Sequence, residues 1–263
     1  MTPGGRSPDG SPAARAVSNT VAFVLVFSLI VTSVGLVTTV GLGSLRDVQT
    51  SQQAELSTGA LRAVGGEIDE IAAGSRPAYR DSIELGGGRI TVVDETAVDV
   101  TVANATGTVF EETYRPRALT YAYEGRNMSY GSGVLARGSD RQPAVLVSGP
   151  STIRCVPASD VAVVTVVQLV PDDGSGASGG PVTVEARRIR SAPPTNVSRL
   201  DYPTTRPSPT ATNVSVTVSG PWQAAWMEAL TARGFTATGG GTATCPANRV
   251  SVRLVRVEIA LLT

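Results

Sequence analysis

The sequence contains no histidine and no lysine, so all 22 of its basic residues are arginine. Without histidine the chain lacks the commonest general base and the commonest zinc ligand. Without lysine it has no side-chain amine for Schiff-base chemistry or for phosphate binding. We therefore expect no cofactor and no metal ion. The formal net charge is zero, which gives no electrostatic reason to expect nucleic acid as a partner.

Cysteine is equally scarce, with only Cys155 and Cys245 in the chain. The two are far apart in sequence and neither belongs to a CxxC pair, which argues against a redox or metal-binding role. If this part of the protein lies outside the cell, one long-range disulfide is expected. Two buried free thiols are the alternative.

Charge is missing altogether from Val21 to Leu45. As a helix this stretch would reach roughly 37 Å, enough to cross a hydrocarbon core of about 30 Å with some tilt. The preceding segment, Met1 to Ala14, is rich in Pro, Gly and Ser and is predicted to be a disordered leader. Arg15 then precedes the apolar run, which predicts a cytoplasmic N-terminus and an extracellular C-terminal domain.

The motif Arg15-Ala16-Val17-Ser18, placed directly before the apolar helix, resembles the class III signal of archaeal type IV pilins and archaellins. The resemblance implies cleavage after Ala16, so that Val17 becomes the mature N-terminus and the helix is retained. An uncleaved signal anchor is the alternative. Later segments, including 118–124 and 222–230, are similar to uncharacterised haloarchaeal pilin-like proteins. That family implies a membrane-anchored or pilus-associated surface protein with no catalytic residue.

After the apolar run the helical pattern becomes amphipathic. Apolar residues recur at spacings of three, four and three between Leu61 and Ile71, which predicts a helix packed along one side. Gly65-Gly66 predicts a kink or break within it, and Gly74 ends the pattern. The predicted organisation is a leader at 1–16, a helix at 17–74 that spans the membrane at 21–45, and a β-rich domain at 75–263.

The β-rich domain is predicted from alternating apolar residues, and the fold class is α+β with an antiparallel, sandwich-like β domain. Asp160 to Val170 is nearly continuous in valine, which predicts a strand covered on both faces. In the last strand, Arg249 to Leu262, the apolar phase slips after Leu254, indicating either a bulge or a strand covered on both faces. Pro221 to Ala232 predicts one inserted helix whose two tryptophans pack in the core. Further strands are predicted at 89–93, 97–103, 119–123, 133–137, 144–147, 182–186 and 213–219.

Four Asn-X-Ser/Thr sequons follow the apolar segment, and all are permissible acceptors for N-linked glycan. The chain has only six Asn, and Ser and Thr together make up 53 of its 263 residues, so chance predicts little more than one match. The excess favours a glycosylated exterior, although a Ser/Thr-rich composition is the alternative cause. The candidate acceptors are Asn104, Asn127, Asn196 and Asn213.

No catalytic constellation stands out, so we expect that the protein is not an enzyme. Gly176 to Gly180 matches the G-x-S-x-G elbow by letters, but that motif needs a histidine partner and a strand-to-helix turn. We predict instead that Asp172 to Gly180 is a flexible hairpin loop. Carboxylates such as Glu111, Glu112 and Asp160 leave an anchored hydrolase as a minor alternative, but their spacing singles out no pair.

Together these patterns predict a single-pass, membrane-anchored surface protein of pilin-like type. Its expected partners are the lipid bilayer and other pilin-like subunits that contact its N-terminal helix, as in a minor pilin or pseudopilin. The alternative is a glycosylated receptor or adhesin that never enters a filament.

Overall fold

A computed structural model of the chain describes residues 12–139, 142–172, 176–189 and 213–263, with side chains described from Val21 onward except at 40–51 and 54. The described residues form two α-helices, one short 3₁₀ turn and sixteen strands. Two compact units divide the chain, Met1–Gln52 and Gln53–Thr263. The second unit contains all of the strands.

The helices are α1 (Pro12–Ala73) and α2 (Gln223–Ala232), and the 3₁₀ turn is Pro157–Ser159. The strands are β1 (Ala78–Glu84), β2 (Arg89–Val93), β3 (Ala97–Asn104), β4 (Gly107–Tyr114), β5 (Ala118–Tyr123), β6 (Arg126–Gly131), β7 (Val134–Ser139), β8 (Gln142–Ser148), β9 (Ile153–Val156), β10 (Val161–Pro171), β11 (Gly176–Ser178), β12 (Pro181–Arg188), β13 (Asn213–Ser219), β14 (Thr236–Gly239), β15 (Thr242–Pro246) and β16 (Arg249–Leu262).

Helix α1 is continuous from Pro12 to Ala73, so no break occurs at Gly65-Gly66, and of the predicted kink or break only the kink stays a prediction. The reason is tertiary: a Cβ on Gly65 would lie 2.5 Å from Cδ2 of Tyr130, so glycine lets the aromatic ring approach the helix backbone. The helix also begins at Pro12, inside the segment predicted to be a disordered leader. Its predicted apolar seam is confirmed, since Leu61, Val64, Ile68 and Ile71 are all buried.

The strands form three sheets. Sheet A has the order β1-β12-β16-β10-β9, sheet B the order β11-β2-β5-β6-β7-β8, and sheet C the order β14-β15-β13-β3-β4. The prediction of a purely antiparallel domain is wrong in one place, because β10 and β16 pair in parallel along eleven residue pairs. A parallel pair needs a long crossover connection, and the 77 residues between β10 and β16 supply it.

Sheet A separates two hydrophobic cores. Along β16, Val250 and Val252 contact the first core, whereas Val255 and Val257 contact the second. Successive strand residues point to opposite faces, so this change of phase moves burial from one face of sheet A to the other. The register between β10 and β16 is unbroken, so the phase slip reflects coverage on both faces and not a bulge.

The same explanation confirms the prediction for β10, in which four consecutive residues from Val164 to Val167 are buried. Helix α2 is also confirmed: Trp222 and Trp226 are buried in the first core, with sheet C and parts of sheets A and B around them. The predicted hairpin at Asp172 to Gly180 is wrong. Strands β10 and β12 do not pair with each other but lie on either side of β16, and Gly176–Ser178 forms strand β11 at the edge of sheet B.

Candidate functional site

The apolar part of α1 is the most distinctive surface of the first unit. Val21–Thr39 is 19 residues long with a mean hydropathy of 2.5, and none of it is buried. Its large apolar side chains are 53–72% exposed. By length and composition this helix could cross a membrane, and a signal sequence near an N-terminus has the same properties.

The threonine hydroxyl groups of this segment are hydrogen-bonded within the helix itself. The Oγ1 atoms of Thr32 and Thr38 donate to the carbonyl oxygens of Ser28 and Val34, at 2.7 and 2.8 Å. Thr39 donates in the same way to Gly35, at 2.9 Å. These bonds lower the cost of placing hydroxyl groups in a non-aqueous surrounding, because each donor already has an acceptor.

Ala16 and Val17, the predicted cleavage pair, lie in the first turns of α1. Their side chains are outside the described part of the chain.

In the second unit, hydrogen bonds tie α1 to the β-rich part of the chain at several points, among them a bond of 2.8 Å from Thr58 Oγ1 to Met128 Sδ of β6. Two further points lie on either side of it along the helix. At the first point the side-chain amide of Gln53 donates to the carbonyl oxygen of Leu85 at 3.2 Å, and the Tyr121 hydroxyl donates to the same oxygen at 2.6 Å. Gly86 and Gly88 surround this contact, and a Cβ on either would collide with Gln53 or Tyr121. The turn between β1 and β2 therefore packs closely against the side chain of Gln53.

The second point is a partly buried hydrogen bond from the Tyr130 hydroxyl to Oδ1 of Asp69, at 2.6 Å. Burial raises the pKa of the Asp69 carboxyl, and the hydrogen bond from Tyr130 opposes that shift. Burial and the neighbouring Asp69 carboxylate raise the pKa of Tyr130 well above 10. The pair ties helix α1 to strand β6 next to the Gly65 contact, which marks it as a structural clamp.

Cys155 and Cys245 are joined by a disulfide, with their Cα atoms 5.9 Å apart. Cys155 belongs to β9 of sheet A and Cys245 to β15 of sheet C, so the bond links two sheets across the first core. The described part of the chain has no free cysteine.

The candidate glycosylation sites lie in different settings. Asn104 ends β3 at the turn into β4, Asn127 lies within β6, and Asn213 begins β13. Asn196 is outside the described residues.

Two charged surfaces lie on opposite faces of sheet A. One is an open groove of about 490 Å³ whose lining includes Arg80, Glu185, Arg187 and Glu258. Four of its charges form two ion pairs: Arg80 contacts Glu185 at 2.8 Å, and Arg187 contacts Glu258. Glu185 and Glu258 are therefore each held by an arginine.

The other face carries Arg154 on β9 and Arg249 and Arg253 on β16. The pairing register places all three on the side of the sheet opposite the groove, around the half-exposed Val163. Among the described residues none of the three has an ion-pair partner. Sheet A thus has a groove with two ion pairs on one face and a basic face on the other, although the whole chain has no net charge.

The carboxylates considered for hydrolysis are not brought together as a pair. Glu111 is exposed, whereas Glu112 is half-buried on the other face of β4, where it accepts a hydrogen bond from the Tyr114 hydroxyl at 3.0 Å. Asp160 ends the 3₁₀ turn before β10. Within the described residues, no group of three His, Cys, Asp or Glu side chains is placed to hold a metal ion.

Comparison with known families gives one match. A model described as a family of unknown function, DUF7289, matches residues 15–261, nearly the whole chain. The chain belongs to this family. No curated protein and no solved structure is similar enough to count as a match. The match begins at Arg15, so in this DUF7289 member the apolar helix and the β-rich unit fall within one family region.

Sequence reasoning missed Ser132 in this family member. Ser132 is fully buried with a φ of 50°, and its Oγ accepts a hydrogen bond from the backbone N–H of Val167 at 2.9 Å. Strand β9 is short, and Ser132 supplies a hydrogen-bond acceptor for the edge of β10 beyond the end of β9. The sequence signal for this residue is its position between Gly131 and Gly133. Such a triplet predicts a turn, but it does not predict which strand the turn will contact.

Proposed function

We propose that this protein is a membrane-anchored, pilin-like surface protein whose α1 spans the bilayer and whose disulfide-linked β unit lies outside the cell. The observation that supports this most directly is the complete exposure of Val21–Thr39 in a helix that continues to Ala73. In water this segment would expose a continuous apolar surface to solvent, whereas a bilayer or a bundle of similar helices would cover its side chains.

The disulfide agrees with an external location. Disulfides persist in oxidising surroundings and are rare where thiols are kept reduced. The packing of three sheets around two hydrophobic cores gives the β unit enough buried surface to be stable as a separate domain outside the membrane.

Small residues in α1 favour assembly between helices. Ser28, Thr32, Gly35 and Thr39 are spaced four, three and four, so they lie on one face of the helix. A Cβ on Gly35 would meet nothing within 4 Å. Small and hydroxyl side chains let helices approach closely in lipid, which makes this face suited to contact with another pilin-like subunit.

Peptide mass of the membrane form tests the processing step. We expect the chain to begin at Val17, and a start at Met1 or Thr2 would show that Ala16–Val17 is not cleaved. Trypsin added outside intact cells should digest the β unit, because that unit is external in this proposal. Protection of the β unit until the cells are broken would refute the topology.

Assembly is tested by comparing Gly35→Ile with Val37→Ile. Gly35 lies on the small-residue face and Val37 on the opposite face, so only the first change should weaken crosslinking between copies in a bilayer. Sheared surface filaments should contain the wild-type chain and lose the Gly35→Ile variant. Equal crosslinking of both variants would remove this face as the assembly surface.

The basic face of sheet A favours a second candidate, an adhesin that binds an acidic polymer. Within the described part of the chain Arg154, Arg249 and Arg253 have no ion-pair partner, and the half-exposed Val163 lies between them. Replacing the three arginines with glutamine should abolish binding to an acidic polysaccharide such as alginate. The matched control replaces Arg80 and Arg187 with glutamine on the paired face, and an equal loss there would refute a specific site.

A further inference from the structure

The three described sequons differ in how their backbones are held. Asn104 lies at the tip of the hairpin between β3 and β4, and β4 is the edge strand of sheet C. Ala105, Thr106 and Gly107 are exposed, and a Cβ on Gly107 would meet nothing within 4 Å. A large enzyme could therefore reach this sequon without unfolding a strand.

The side chain of Asn104 is oriented by its own sequon. Its Oδ1 accepts a hydrogen bond from the backbone N–H of Thr106 at 2.8 Å and a second from the Thr106 hydroxyl at 2.6 Å. Both bonds go to the oxygen. Neither bond occupies the amide nitrogen Nδ2, which is the atom that carries an N-linked sugar.

Asn127 is held differently. It lies inside β6, paired with Ala122 of β5 on one side and Gly138 of β7 on the other. Its sequon partner Ser129 is only 3% exposed, and Ser129 Oγ accepts a hydrogen bond from Thr120 at 3.2 Å. Presenting this sequon would require strand β6 to leave the middle of sheet B.

Asn213 has the same difficulty. It begins β13, and its sequon partner Ser215 is paired with Thr101 of β3 and Thr244 of β15. Val214 between them is fully buried in the first core. This sequon cannot be drawn into an enzyme without breaking the central strand of sheet C.

We propose that, among the three described sequons, Asn104 is the N-glycosylation acceptor of the folded chain, with a lipid-linked oligosaccharide as the donor, and that the fold withholds Asn127 and Asn213. In the transfer, a bond forms between Nδ2 and C1 of the first sugar while the bond from C1 to the lipid phosphate oxygen breaks. The phosphate leaves with the bonding electrons, and one amide proton passes to a base of the transferase. The inference rests on the external location proposed above, because the donor and its transferase act on exported protein.

Trypsin separates the sequons cleanly, because every cleavage site is arginine and the bonds before Pro116 and Pro207 resist cutting. Asn104 falls in peptide 90–117, Asn127 in 127–137 and Asn213 in 200–233. In the full-length chain from its host membrane, we expect glycan mass on peptide 90–117 and none on the other two. Occupied Asn127 or Asn213 beside a bare Asn104 would overturn the inference.

Variants separate the roles of the side chains. Thr106→Ser keeps the hydroxyl and should keep the glycan, whereas Thr106→Val and Asn104→Gln should lose it. The controls Ser129→Ala and Ser215→Ala should leave the glycan on peptide 90–117 unchanged. Because Thr106 is exposed, these changes at the turn leave both cores intact.

An acceptor assay tests whether the fold makes the selection. Purified oligosaccharyltransferase and lipid-linked oligosaccharide should modify only Asn104 among the three described sequons in the folded chain, and Asn127 and Asn213 as well once the chain is reduced and denatured. Equal modification of all three in the folded chain would refute the inference. If external trypsin digests the β unit in intact cells but Asn104 carries no glycan, the inference about Asn104 is refuted and the proposed external location stands. If the β unit is protected from trypsin, both the inference and the proposed location are refuted.

Discussion

Removing the disulfide between Cys155 and Cys245 should cost this protein more stability than any other single change. The bond closes a loop across 90 positions of sequence. In the chain-entropy account, cross-linking a loop of that length removes about 15 cal/mol/K from the unfolded ensemble, or about 4.6 kcal/mol at 25 °C. For a unit of about 200 residues this corresponds to a fall in Tm of about 9–18 °C.

The assay can use the protein's own fluorescence. Trp222 and Trp226 are the two tryptophans of the chain, and both are buried in the core that the disulfide crosses. Denaturant unfolding of the full-length chain in detergent, followed by tryptophan emission with and without reductant, therefore reports on the cross-linked region.

The cysteine variants give the matching genetic test. Cys155→Ala and Cys245→Ala each remove the cross-link, so each should lose most of the roughly 4.6 kcal/mol. The double variant should lose little more than either single variant, because the cross-link can be lost only once. Reduced and oxidised chains that unfold at the same denaturant concentration would refute the reasoning, as would single variants whose losses add fully.

Three further predictions concern the clamp and the edge of β10. Gly66→Ala should raise the free energy of unfolding by up to about 1 kcal/mol through helix propensity, because its Cβ would meet nothing within 4 Å. Gly65→Ala should lower the free energy of unfolding by about 1–3 kcal/mol, because its Cβ would collide with the Tyr130 ring. Equal gains for the two variants in denaturant unfolding would contradict this prediction. Burial raises the pKa of the Asp69 carboxyl from 3.8. The free energy of unfolding of the wild-type protein should therefore fall relative to that of the Asp69→Asn variant as pH rises above 3.8. A difference between the two proteins that does not change with pH would refute this prediction. Ser132→Ala should lose about 1–3 kcal/mol by leaving a buried N–H of β10 without an acceptor, and hydrogen exchange at that amide should accelerate, whereas an unchanged rate would show that the bond is not made.

Local patterns in the sequence were enough to place most elements. Strands such as β3, β10, β13 and β16 alternate or concentrate valine strongly, and this short-range periodicity reflects burial directly. The strands that were not predicted are β1, β4, β6, β9, β11, β14 and β15. Strands β1 and β4 are edge strands that bury only one residue each, so they show little apolar alternation. Strand β9 has only four residues, and β14 and β15 consist largely of Thr and Ala, whose side chains distinguish the inner face from the outer only slightly.

Pairing between distant strands could not be derived from these patterns. Alternation shows which face of a strand is buried but not which strand lies beside it, so nothing local indicated that β10 runs parallel to β16. The same limit explains the wrong break at Gly65. Propensity counts the cost of glycine in a helix, while the compensating contact with Tyr130 comes from a strand 65 residues later.

The sequence by itself determined the apolar helix, its charge-free length, the packing seam that follows it and the presence of a β-rich unit, because each depends on residues close together in the chain. The tertiary structure decided which long-range partners these elements take. It divided the unit into two cores on opposite faces of sheet A, brought Cys155 to Cys245, and separated the paired from the unpaired arginines. It also distinguished one exposed sequon from two held in strands, since accessibility depends on neighbours that the sequon's three letters do not contain.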